Sequence, residues 1–167
     1  MSNKTKRIAF LGIMTSVALV LSYLEAILPP IYAAVPGIKA GLPNIVIILI
    51  LYRLSWKEAA AVSLLRVFIV ALLFGNAMTL AYSLAGAVLS LVVMALFKKS
   101  DLFSAVGVSI LGGVAHNLGQ ILVAIVLLSS TLIGYYMIIL TVTGTLAGVF
   151  VGLVGSLLIK RLQNIQI

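Results

Sequence analysis

The chain has one histidine, in the stretch Gly113-Val-Ala-His-Asn-Leu-Gly-Gln120. On a helix, Ser109, Gly113, His116 and Gln120 share one side, at offsets of 4, 7 and 11 from the first. The surrounding run is apolar enough to dissolve in lipid. Polar groups at that depth cost free energy unless they face a protein interior or a wet cavity. They either bond neighbouring helices, as polar residues in membrane bundles often do, or line a site. Arg66 occupies a similar depth in the apolar run 59–74. A guanidinium stays charged, and a central membrane position costs it about 2.5–3.5 kcal/mol even on the lenient insertion scale. It needs a partner, and only three acids exist. Glu58 and Asp101 fall at the ends of apolar runs next to lysines, which leaves Glu25. Arg66 is therefore held by Glu25 or by backbone carbonyls, or it joins Lys39 in receiving an anionic group while Glu25 keeps it ready.

Other chemistries drop out. Cysteine is absent, so there is no disulfide, thiolate metal site or cysteine nucleophile. One histidine and three dispersed acids do not build a usual metal cage, and a serine triad lacks partners. No Gly-rich phosphate loop ends in Lys-Ser/Thr, which excludes ATP binding of that kind. With Asp101 the only aspartate, paired-Asp Mg²⁺–diphosphate motifs are impossible. Autonomous catalysis is not expected, and no cofactor or metal is implied.

The elements that position these residues follow from composition. At 63% hydrophobic and 8% charged, the chain holds more apolar surface than a soluble domain this size can hide. It reads as an all-α integral membrane protein, a single transmembrane domain over 1–167 with about six spans: 8–28, 42–54, 57–74, 80–97, 102–128 and 133–159. Each full span meets the roughly 20 residues a bilayer requires. The first run reaches Glu25, Pro29 and Pro30 without a small-residue cleavage site, so no cleaved leader is expected. Residues 29–44 are broken by Pro and Gly yet remain apolar, which predicts a lid or partly re-entrant loop on the bundle. The run 42–54 is short for a span, with Pro43 predicted in its first helical turn. The small and polar residues Thr79, Tyr82, Ser83, Gly86 and Ser90 mark the fourth helix.

The net charge of +8 comes from bases at the ends of apolar runs, so it orients the chain in a membrane; no nucleic-acid partner is expected. With a cytoplasmic N-terminus, six spans put Lys4, Lys6, Arg7, Arg53, Lys57, Lys98, Lys99, Lys160 and Arg161 inside and only Lys39 outside. Both termini are then cytoplasmic. Glu25, Lys39 and Asn44 lie toward the outside, above Arg66 and His116, which describes an outward funnel over an apolar inner half. Gly144, Gly148 and Gly152, and likewise Gly12 and Ser16, repeat every four residues. Such faces allow close helix approach, and that smooth surface also suits docking of another membrane subunit.

Four stretches carry a family resemblance: Gly37-Ile-Lys-Ala-Gly-Leu-Pro-Asn44, Ser63-Leu-Leu-Arg-Val67, Tyr82-Ser-Leu-Ala-Gly86 and Gly113–Gln120. Together they resemble the bacterial membrane family labelled both heptaprenyl diphosphate synthase component I and Gx transporter. That family is similar in size and architecture to the substrate-binding S components of energy-coupling-factor (ECF) transporters. The resemblance implies an outward pocket lined by Arg66, His116, Asn117, Gln120 and Tyr82, capped by a loop bearing Lys39 and Asn44. It also implies docking to a partner through the first helix, where Gly12 and Ser16 stand in place of the usual Ala-x-x-x-Ala. The function expected is a solute-binding subunit in the bacterial plasma membrane, energised by transmembrane and ATPase subunits of an ECF-type module. The alternative is a non-catalytic accessory subunit for a soluble prenyltransferase. A self-sufficient transporter would need a coupling site, for which His116 and Glu25 are the candidates.

Overall fold

The computed structural model describes residues 2–27, 41–129, 134–135 and 137–164. These form six α-helices: α1 (Asn3–Ile27), α2 (Asn44–Arg53), α3 (Trp56–Phe74), α4 (Ala77–Lys99), α5 (Ala105–Leu128) and α6 (Met137–Leu162). Four of them, α1, α4, α5 and α6, are long and apolar enough to cross a membrane. The chain is an all-α membrane protein, as its composition requires. Most of the predicted lid, with Lys39, lies outside the described residues.

Helix ends differ from the sequence reading where caps decide them. Asn76 and Thr79 form a reciprocal capping box, with Thr79 N–H donating to Asn76 Oδ1 at 2.9 Å and Asn76 N–H to Thr79 Oγ1 at 2.8 Å. That starts α4 at Ala77, three residues before the predicted Leu80, and puts Thr79 inside the helix. The basic head Lys4–Arg7 is already helical, and α6 runs through Lys160 and Arg161. Pro43 caps α2 from outside its first turn.

Contacts between helix ends fix the directions. Arg7 on α1 pairs with Glu58 on α3, while at their other ends Tyr23 and Phe74 meet with ring centroids 5.3 Å apart. Parallel neighbours α1 and α3 follow. Arg53 Nη1 donates to the Gln163 carbonyl at 3.1 Å, and Ile48 lies against Gly155, so α2 and α6 are also parallel. The start of α1 and the end of α6 therefore share one face of the bundle. It is the basic face.

α5 sits between α4 and α6, α2 contacts α3 and α6, and α1 packs on α3. The sequence reading has α2 as a short span, but its place in the bundle is central. Ile45 to Leu51 are all at most 8% exposed. Ten residues rise about 15 Å, half the hydrocarbon thickness, so α2 spans only half a bilayer. A helix apolar on every side is stable where other helices surround it. Ile47, Ile50 and Leu51 pack with Ala18, Val62, Met94 and Val108 into an apolar plug toward the basic face.

Candidate functional site

The polar side chains gather beyond that plug, from the start of α2 to the non-basic ends of α1 and α3. Gly41 sets the geometry there. Its φ of +82° suits only glycine, and a Cβ would lie 3.0 Å from Asn44 Nδ2. Its N–H donates to Glu25 Oε1 on α1. The turn Gly41-Leu-Pro then feeds α2, with Asn44 N–H donating to the Gly41 carbonyl at 2.9 Å. Glu25 thus ties Gly41 to α1.

Arg66 projects inward from the middle of α3 and is 7% exposed. Its Nη1 donates to Ser22 Oγ on α1 at 3.2 Å, and Glu25 is the acid whose charge reaches it. Ser22 precedes Glu25 by three residues, so both face α3. Arg66 Nε has no partner among the described residues. The guanidinium borders a cavity of about 40 Å³, enclosed by Ala26 of α1, Val70 and Phe74 of α3, and Thr79 and Ser83 of α4. That volume holds about three waters, or one small charged group.

His116 and Gln120 lie on the side of α5 that meets α4. A Cβ on Gly86 would come within 2.9 Å of His116 Cε1, so glycine there makes room for the imidazole. Gln120 is 1% exposed, and neither its amide nitrogen nor its oxygen has a partner among the described residues. Leaving such a group unpaired costs about 1–3 kcal/mol. Tyr82 is buried on α4 one turn before Gly86. Asn44 borders a second cavity, of about 10 Å³, together with Ser90 and Ser109. Ser90 Oγ is likewise unpartnered.

Asn117 turns elsewhere. Its Nδ2 donates to the Leu140 carbonyl of α6 at 2.8 Å, beside Gly144, which clasps α5 to α6. Along the same seam a Cβ on Gly113 would fall 2.4 Å from the Gly144 carbonyl, and one on Gly148 would fall 2.6 Å from Ile110 Cα. The glycine repeat of α6 is therefore a packing face. Gly12 behaves oppositely: a Cβ there meets nothing within 4 Å, and both Gly12 and Ser16 are exposed on α1.

The structure thus brings Arg66 to Ser22 and into the field of Glu25, sets Asn44 in a separate crevice, and gives Asn117 to α6. Ser22, Thr79 and Ser83 join Arg66 without having been singled out as site residues. The signal for them was helical spacing, Ser22 from Glu25 and Ser83 from Thr79. Among the described residues no cluster of His, Asp and Glu forms a metal site. No curated protein and no solved structure matches the chain. The family model described as heptaprenyl diphosphate synthase component I matches residues 14–158, nearly the whole bundle. The chain belongs to the heptaprenyl diphosphate synthase component I family.

Proposed function

We propose that the chain is a membrane-embedded solute-binding subunit of a transporter, of the S-component kind, taking up a small, anionic, partly apolar molecule. The observation that supports this reading most is Arg66, a permanent charge buried mid-helix, its Nε unpartnered among the described residues, beside a small cavity. A purely structural arginine would be expected to have its donors filled. The nine-to-one distribution of bases supports a cytoplasmic basic face and cytoplasmic termini, with the Arg66 cavity in the outer half of a bundle in the bacterial plasma membrane. Ligand binding then involves Arg66 for the anion, with Gln120, His116 and Tyr82 deeper in the bundle and Lys39 and Asn44 on the outer loop. Transport needs transmembrane and ATPase subunits, because the chain has no phosphate-binding motif, and the exposed Gly12–Ser16 face of α1 is offered for docking. Native mass spectrometry of protein extracted gently from its host membrane tests this. A retained small molecule that disappears in Arg66→Ala supports it; identical ligand retention in the variant rejects it.

The family description favours a second reading, a non-catalytic membrane subunit that anchors a soluble prenyltransferase at the cytoplasmic face. On that reading the purified chain co-isolates such an enzyme and raises its activity. Absence of both effects removes it.

A further inference from the structure

At the basic face, the end of α2, the start of α3 and the end of α4 enclose a cleft of about 300 Å³. Its wall is apolar, from Leu51, Leu54 and Ala95, and its mouth carries Trp56, Lys98 and Lys99. Trp56 is 57% exposed, and Lys57 Nζ stands 6.0 Å from its ring centroid. Lys98 is held in place: its Nζ donates to the Leu51 carbonyl at 2.5 Å and lies 5.1 Å from the Tyr52 ring centroid. One ammonium hydrogen goes to that carbonyl, leaving others to donate outward. The nearby acids do not saturate the lysines. Glu58 is taken by Arg7 and Ser55, and the charge of Asp101 reaches Lys98, while Lys99 is exposed. Arg66 has no part in this cleft.

An apolar slot with the anchored Lys98 and the exposed Lys99 at its mouth, beside an indole at the membrane edge, matches a phosphate head carried on a lipid tail. A soluble anion would leave the slot empty, and a neutral lipid would leave the lysines unused. We propose that this cleft binds the phosphate head of a membrane amphiphile, with the tail against Leu51, Leu54 and Ala95. Both an anionic phospholipid and a prenyl diphosphate have that chemistry.

Trp56 is the only tryptophan, so its fluorescence reports on this cleft alone. The intact protein would be placed in phosphatidylcholine nanodiscs and titrated with brominated phosphatidylglycerol or brominated phosphatidylcholine, which quench by contact. Quenching by the anionic lipid at a several-fold lower mole fraction is expected, with the preference lost in Lys98→Gln/Lys99→Gln. Lys160→Gln/Arg161→Gln, on the same face, should retain it. Farnesyl diphosphate and inorganic pyrophosphate would then be added as competitors. Displacement by farnesyl diphosphate identifies a prenyl diphosphate as the ligand, and resistance to it identifies the phospholipid; either result upholds the site. Equal quenching by both lipids overturns the proposal. So does equal loss in the two double variants, or displacement by pyrophosphate as effective as by farnesyl diphosphate.

Discussion

The two sides of α5 are built from similar residues and end in opposite states. Toward α6, glycines at 113, 144 and 148 bring backbones into contact, and Asn117 completes the seam with a bond to the Leu140 carbonyl. Toward α4, Gly86 and Gly119 also allow close approach, yet among the described residues Gln120 and Ser90 keep buried polar atoms unpaired, and Arg66 across the bundle keeps an unpartnered Nε. A seam that only holds helices together satisfies its polar groups. One that leaves them unsatisfied in a low-dielectric interior pays for it, and the reason is sought in a ligand.

The sharpest test of the contrast is Arg66→Ala. It should weaken retention of the co-purified anion about a thousandfold, roughly 4 kcal/mol, because a buried charge contact is lost. Thermal unfolding of the variant should stay close to wild type; a collapse of folding instead would make Arg66 a structural residue. On the opposite seam, Gly113→Val should cost about 3 kcal/mol of stability in detergent unfolding, since its Cβ would strike the Gly144 carbonyl. A mild effect there would mean that α5 and α6 can move apart cheaply.

Asn117→Leu separates the two sides more finely. Loss of one interhelical bond should lower stability by about 1 kcal/mol and leave ligand retention unchanged. If retention falls instead, Asn117 belongs with the binding residues after all. Smallest of all, Gly12→Val should change stability by under about 0.5 kcal/mol, because the added methyls meet open space. Its effect should appear only in pull-down of a membrane partner, where an unchanged yield would exclude that face as a docking surface.

The helices were readable from sequence because apolar length and terminal bases are local properties. Arg66 was readable for the same reason: a permanent charge amid apolar residues is conspicuous without any knowledge of neighbours. The bond from Asn117 to the Leu140 carbonyl was not. Asn117 and Gln120 look alike in the sequence, and a helical wheel places them about 60° apart, so only the positions of α4 and α6 distinguish clasp from open group.

Composition and the period of the polar residues, acting through the cost of burying charge in lipid, were enough to determine a helical membrane protein with a basic face and a polar interior. Tertiary structure alone decided that the apolar run at α2 is the enclosed centre of the bundle, because hydropathy is equal for a helix facing lipid and one facing other helices. It also decided which glycines close a seam and which stand open, since a missing Cβ has meaning only when another backbone lies within reach.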